Sequence, residues 1–427
     1  MGLAILLIVF LFTMLAGVPI AFSLAIAAVA ASLFEGLPLL IVFQRMVSGM
    51  SSFSLLAIPF FIFAGELMLR GQIAKRLVVF AENAVGSVRG GLGVVNVFTS
   101  MLFGGISGSA VADTSALGSV LIPMMRERGY DDDYSVNVTV TSSIAGVMIP
   151  PSHNMILYAL AAGGGISISS LFLAGVVPGV LMCTLLAFTA YVIAVKRGYP
   201  AGKFPGVKVL ILSGIYAFPG FFTAVIIIGG VLSGIFTVTE SAAMGAIWAL
   251  LVTVLVYRSL SWVEFKTSLV QAAKTTALVM ILVGSATAFA YFLALYQVPL
   301  QIKDALLMIS SNPLAIFLMI NIALLILGMF MDMAALILIC TPIFLPIVRD
   351  LGMDPVQFGM ILMMNLGLGL ATPPVGGCLF VGCAVAKVKI ESVVKTIWPF
   401  YLAILATLMM TTYIPALSLT LPALFGQ

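Results

Sequence analysis

Apolar runs of about twenty residues recur along this chain, and the short polar stretches between them hold nearly all of its charge. No run alternates polar and apolar residues as a spanning strand would, so helices are the structure that satisfies this backbone in lipid. The length accommodates about ten to thirteen membrane segments. Residues 3–34 lack the basic flank of a cleavable leader and are too long for one. They predict a first membrane segment, broken or kinked at Gly17-Val18-Pro19. Spans are further predicted at 55–69, 168–195, 209–236, 240–257, 275–295 and about 396–418. Residues 72–89 and 297–311 mix polar and apolar positions at helical spacing, which predicts surface helices, and 258–270 predicts an interfacial segment.

Four segments break this pattern. Residues 91–123 carry the polar, glycine-rich middle Gly104-Gly105-Ile106-Ser107-Gly108-Ser109, and 313–346 carry Gly328-Met329-Phe330-Met331-Asp332. A straight helix disfavours such middles, and each predicts a re-entrant helical hairpin. Residues 134–162 and 355–386 are spans interrupted by the tandem prolines Pro150-Pro151 and Pro373-Pro374, which remove backbone donors and clash with the preceding turn.

These interruptions repeat at one offset of 223 positions. Gly105 corresponds to Gly328, Pro123 to Pro346, Arg126 to Arg349, Gly129 to Gly352, Asp131 to Asp354, Gly146 to Gly369, and Pro150-Pro151 to Pro373-Pro374. A membrane protein that duplicates broken hydrophobic segments points to a transporter with its site between the halves.

Composition agrees with a membrane protein: 62% of residues are hydrophobic and 8% charged, against roughly a quarter charged in soluble domains. The net charge of +4 carries no implication of nucleic acid, because the basic residues lie in loops and set orientation. If the first hairpin enters from the cytoplasm, sixteen of the nineteen Lys and Arg fall on that side, leaving Arg45, Lys303 and Arg349 opposite. The second hairpin then enters from the other face, the halves are inverted, and the C-terminus is periplasmic. Cys183, Cys340, Cys378 and Cys383 form no metal-type pair and read as small apolar residues.

The expected architecture is an all-α polytopic membrane protein, an inverted-repeat elevator-type transporter with two re-entrant hairpins and two broken helices. Residues 1–90 form scaffold and a first arm helix, and 91–195 form the first repeat of a transport core. A cytoplasmic linker spans 196–208, 209–312 supply scaffold and a second arm helix, and 313–427 form the second core repeat with the last span.

A helix interrupted in mid-membrane leaves carbonyls free on one piece and amides free on the next. The carbonyls suit a hard cation such as Na⁺, and the amides, at a positive dipole end, suit a carboxylate. Each tip is expected to meet a break: Gly105–Ser109 with Pro150–Asn154, and Gly328–Asp332 with Ala371–Gly377. Ser107, Ser109, Ser152, Asn154 and Thr372 add side-chain oxygens, although membrane serines also bond to their own helix carbonyls. A carboxylate at mid-membrane costs at least about 2.5 kcal/mol, so Asp332 reads as part of a cation or substrate pathway. Asp113 reads equally as a helix cap or a site residue. Glu240 reads as a cap after Thr237, and Glu66 as a partner of Arg70. His153, the one histidine, builds no metal site alone and is a candidate substrate contact, as are Ser152, Asn154, Asp113 and Pro373. A rival reading takes Gly105-Ile106-Ser107-Gly108 as the nucleophile motif of an intramembrane serine protease with His153 as base. A channel or a purely structural membrane subunit is a further rival, and no continuous polar stripe supports a channel.

The segments GGISGSAVADTSALGSVLIPMMRERGYDDDYSVNVTVTSSIAGVMIPPSHN and GMFMDMAALILICTPIFLPIVRDLGMDPVQFGMILMMNLGLGLATPPVGG strongly resemble the large membrane subunit of tripartite ATP-independent periplasmic (TRAP) transporters. The resemblance runs nearly end to end. It implies a Na⁺-driven elevator transporter in the bacterial inner membrane, using two or more Na⁺ ions. It also implies a small four-helix membrane subunit and a periplasmic substrate-binding protein as partners. One implied cation site uses Gly105, Ser107 or Ser109 and carbonyls near Pro150. The other uses Gly328, Asp332 and Thr372 through Gly376. The implied substrate is a carboxylate-bearing organic anion, with overall similarity leaning to sialic acid over C4-dicarboxylates. H⁺ coupling is the alternative.

Overall fold

The computed structural model describes residues 1–426, and the side chains of Ile106 and Ser107 lie outside the described residues. Twenty-two α-helices and no named strand are found among those described. Six helices are long and apolar enough to cross a membrane, or eight if two bent pairs each count as one span.

The N-terminal part comprises α1 (Gly2–Leu15), α2 (Ile20–Phe34), α3 (Leu40–Met50), α4 (Ala57–Arg70) and α5 (Ile73–Val85). Gly17, at φ +85°, and Pro19 do more than kink the first segment: they end α1 outright, and α2 folds back to pack against it. Helix α3 was not expected. A short 3-10 turn joins it to α4, and it packs on the later helix over 262–295.

The next elements are α6 (Gly91–Ser107), α7 (Ala110–Glu127), α8 (Asp132–Ser142), α9 (Ala145–Met148), α10 (His153–Ala161) and α11 (Ile168–Lys196). Then come α12 (Val207–Leu232), α13 (Val238–Leu251), α14 (Trp262–Leu295) and α15 (Val298–Ile309). Thr237 and Glu240 form a reciprocal capping box at the start of α13, as the sequence predicts. Helix α14 joins most of the segment expected at the interface, 258–270, to the span expected at 275–295. It runs unbroken for 34 residues, because no proline interrupts it and the strong helix formers of Gln271-Ala272-Ala273-Lys274 bridge its polar and apolar parts.

The final set is α16 (Pro313–Gly328), α17 (Met333–Asp350), α18 (Pro355–Leu370), α19 (Gly377–Ala386), α20 (Ile390–Val394), α21 (Trp398–Tyr413) and α22 (Ala416–Leu424). The expected last span is bent by 61° between α21 and α22, at Pro415. The order of α6 to α10 thus recurs in α16 to α19: two helices joined by a tip, then a helix broken at tandem prolines.

Polar contacts group the loops at two ends of the molecule. At one end Gly90 donates to the Pro200 carbonyl (3.1 Å), Arg128 pairs with Glu82, and Ser259 donates to the Gly71 carbonyl (2.7 Å). Arg197 grips Asp133 through both Nη atoms (2.8 Å each) and reaches Asp131 at 2.9 Å. The start of α6 and the end of α7 both lie in this network. Burial and then the hydrogen bond to Asp131 push the Tyr199 phenol up to about 12, so it remains a donor at neutral pH. At the other end Lys303 pairs with Asp350 (2.6 Å) and Tyr413 donates to the Leu314 carbonyl (3.0 Å). The start of α16 and the end of α17 lie there. Arg197→Ala is expected to cost about 1 kcal/mol, the range of a well-formed surface pair. Thermal denaturation in detergent checks this, and a loss independent of salt concentration would contradict the ionic origin.

Candidate functional site

The first tip closes on the first break through backbone surfaces. Gly108 adopts φ +63°, turning the chain out of α6, and Ser109 caps α7 with its hydroxyl accepting from the Ala112 amide (3.4 Å). A Cβ on Gly104 would lie 2.6 Å from the Gly146 nitrogen, and one on Gly105 would lie 2.6 Å from the Pro150 carbonyl oxygen. Only glycine permits such approach. Asn154 donates through Nδ2 to the Gly108 carbonyl (3.2 Å), which ties the tip to the start of α10. The Pro150–Pro151 bond is cis, Ile149 is extended, and the two pieces of the broken helix meet at 54°. Ser152 is buried at this turn, and its Oγ has no hydrogen-bond partner among the described residues.

The second tip repeats the arrangement. Gly328 lies against Gly369, where a Cβ would come within 2.6 Å of the Gly328 Cα. The Val375 amide donates to the Met329 carbonyl (3.2 Å), and Pro373–Pro374 is also cis. Asp332 stands where Ser109 stands in the first half. It caps α17, accepting from the Ala334 amide at 3.0 Å. Thr372 donates to the Leu368 carbonyl (2.7 Å), the back-bonding habit of membrane hydroxyls. Gly376, at φ +42°, starts α19 and carries its missing Cβ 2.8 Å from the Thr372 carbonyl oxygen. Each tip therefore meets the break of its own half.

The halves also interlock. Helix α7 packs on α19, and α10 packs on α17. Asp113 is buried in the first turn of α7, against Gly146. Cys378 is buried at the start of α19, the helix that packs on α7. The sequence reading placed Cys378 only as an apolar filler.

A cavity of about 400 Å³ lies between this paired core and the helices around it. Ser109, Ser115 and His153 line it from the core, and Glu66, Gln271 and Thr275 line it from α4 and α14. Glu66 does pair with Arg70 (3.4 Å), as expected, but it also faces this space. Of the candidate residues, Ser109 and His153 reach the cavity. Gly105 and Pro150 face a second cavity of about 370 Å³ against α12. Ser152, Asn154, Asp113, Gly328, Asp332, Thr372, Pro373 and Gly376 line neither. The side chain of Ser107, a candidate cation ligand and the nucleophile of the protease reading, lies outside the described residues.

Sequence reading missed Gln271 and Thr275, which sit in a regular helix with no local irregularity. It also missed two buried polar ladders. Asn96 donates to Thr139 (2.6 Å) and Ser100 pairs with Ser142 (2.8 Å), while Asn365 donates to Asn321 Oδ1 (2.8 Å). The four-residue spacing of Asn96 and Ser100 on one helix face was the available signal.

The model of the DctM component of tripartite ATP-independent periplasmic transporters matches residues 7–417. The chain belongs to that family. It is a multi-pass membrane permease component of the TRAP type, and such permeases work with a small membrane subunit and a periplasmic binding protein. The sialic acid TRAP transporter large permease protein SiaM of Vibrio cholerae is 38% identical over 96% of both chains. The C4-dicarboxylate TRAP transporter large permease protein DctM of Rhodobacter capsulatus is 36% identical over 97% of both. The isethionate TRAP transporter permease protein DctMQ of Oleidesulfovibrio alaskensis is 41% identical over 94% of this chain and 63% of its own length. Three substrates thus stand at similar identity, so overall similarity does not single out sialic acid. Among solved structures, the YdaH transporter of Alcanivorax borkumensis superposes with a TM-score of 0.65 at 12% identity, covering 87% of each chain. That likeness concerns the fold alone.

Proposed function

We propose that this TRAP permease carries a carboxylate-bearing organic anion into the cell, driven by a Na⁺ gradient, in an elevator-type cycle. The carrying observation is the pair of tips, each seated on the break of its own half beside a cavity that the core shares with α4 and α14. Oxygen-rich turns of this kind suit a hard cation. Pro150 and Thr372 offer carbonyls near Gly105 and Gly376, Ser109 a hydroxyl, and Asp332 a carboxylate. Two or more Na⁺ ions order the tips and offset the charge of the substrate. The substrate sits in the cavity against Ser109 and His153, with Ser152, Asn154, Asp113 and Pro373 supporting its wall from behind.

The halves are inverted, as the distribution of basic residues and the two separate polar ends support. In the inner membrane this places the Arg197 network in the cytoplasm and the C-terminus in the periplasm. The periplasmic binding protein docks on the opposite end and releases its anion. The core, α6–α11 and α16–α22, moves against α1–α4 and α12–α14, with α5 and α15 as arms. Ion and substrate shift the population only through their differential affinity for the two positions. Sialic acid is the first substrate to test, with a C4-dicarboxylate and isethionate beside it, since the relatives carrying those names are all organic-acid permeases.

The test is uptake into liposomes holding both membrane subunits, with the binding protein outside and ion gradients imposed separately. Uptake is expected with an inward Na⁺ gradient and near background with a proton gradient alone. Uptake driven by the proton gradient alone would replace Na⁺ with H⁺ in this scheme.

A further inference from the structure

A trench between α5 and α12 has the chemistry of a lipid headgroup site. It encloses about 410 Å³ and shares no lining residue with the cavity at Ser109 and His153. Its polar end holds Lys75 and Arg76, and none of its lining residues is acidic. The nearby carboxylates are engaged elsewhere, Glu66 with Arg70 and Glu82 with Arg128. Lys75 and Arg76 form no ion pair among the described residues.

Arg76 is held in place without being neutralised. Its guanidinium lies 3.9 Å over the centre of the Tyr257 ring, and the Tyr257 hydroxyl donates to the Tyr216 carbonyl (2.6 Å). Such a stack fixes the cation but adds no anion. The Arg76 Nε finds no acceptor among the described residues. Besides the neutral Gln72, Asn83 and Ser213, the rest of the wall is apolar: Val79, Val209, Leu212 and Tyr216 are all exposed, Tyr216 by 60%. A fixed guanidinium with a lysine beside it, above an open apolar wall, matches a phosphate joined to acyl chains better than a free anion.

We propose that the trench binds one anionic phospholipid of the leaflet at the arginine-rich end, its phosphate on Arg76 and Lys75 and its chains along Leu212 and Tyr216. Helix α5 leads directly into the first hairpin, so the lipid braces that junction. The proposal does not depend on which ion or substrate is transported.

The experiment uses the complex with its small membrane subunit, in detergent, by native mass spectrometry with phosphatidylglycerol, phosphatidylethanolamine or inorganic phosphate added. Phosphatidylglycerol is expected to be retained as one adduct, roughly tenfold or more tightly than phosphatidylethanolamine, as two basic groups beside an anionic headgroup give. Lys75→Gln with Arg76→Gln is expected to lose this preference. Leu212→Glu, which leaves the Arg76–Tyr257 stack intact, is expected to lose it as well. Equal retention by wild type and both variants overturns the proposal. Displacement of the adduct by inorganic phosphate reduces the trench to a free-anion site and also overturns it. Loss of the small subunit from the Leu212→Glu complex with lipid retention unchanged would assign the face to that subunit instead.

Discussion

Asp332→Asn is expected to reduce uptake about ten- to a hundredfold while leaving the melting temperature unchanged. The substitution separates two roles that the structure combines in one side chain. Asp332 caps α17 through the Ala334 amide, and asparagine caps a helix as well as aspartate does, so the fold keeps that contribution. What asparagine lacks is the negative charge at the second tip. A contact to a charged group contributes about 1.5–3 kcal/mol, which gives the stated range and should raise the Na⁺ concentration for half-maximal uptake. Asp332→Ala removes charge and cap together and should add roughly 1 kcal/mol of destabilisation. Near wild-type uptake in Asp332→Asn would leave Asp332 as a helix cap and nothing more.

Gly369→Ala is the second substitution expected to have a large effect. A methyl there would stand 2.6 Å from the Gly328 Cα and 2.7 Å from its carbonyl oxygen. Both are backbone atoms and cannot rotate away as a side chain can, so the tip and the break must separate. Overpacking of this kind costs about 1–3 kcal/mol. The melting temperature should fall by roughly 1–3 °C, with uptake lost beyond what the stability change explains. Gly104→Ala should behave alike in the other half. Wild-type stability in both would mean that tip and break do not touch.

The parts of this fold that showed in the sequence are those where the chain cannot be an ordinary helix. Tandem prolines and clustered glycines have few uses inside a bilayer, so their recurrence at Pro150 and Pro373, and at Gly105 and Gly328, marks both breaks and both tips in the sequence. What escaped was made of ordinary helix. Nothing local distinguishes Gln271 or Thr275 from any other polar residue on a long helix. They matter only because α14 passes the core at that height, a fact of tertiary packing. The continuity of α14 was hidden for a related reason. Its first third mixes polar and apolar residues and its remainder is apolar, and in sequence such a change of periodicity reads as an end of the helix. The separation of α1 from α2 shows the opposite error. Gly17 and Pro19 were recognised as a break, but hydrophobicity alone cannot say whether a chain continues past a break or returns along its own side.

The length of α14 carries a mechanical consequence. At 1.5 Å per residue its 34 residues reach about 51 Å, some 20 Å beyond the hydrocarbon thickness of about 30 Å. A rod of that length must lean, or push its amphipathic first turns out into the headgroups, and the thickness of the surrounding bilayer sets how far. Because Gln271 and Thr275 ride on this rod, lipid chain length is expected to set the height at which it presents them to the cavity at Ser109 and His153.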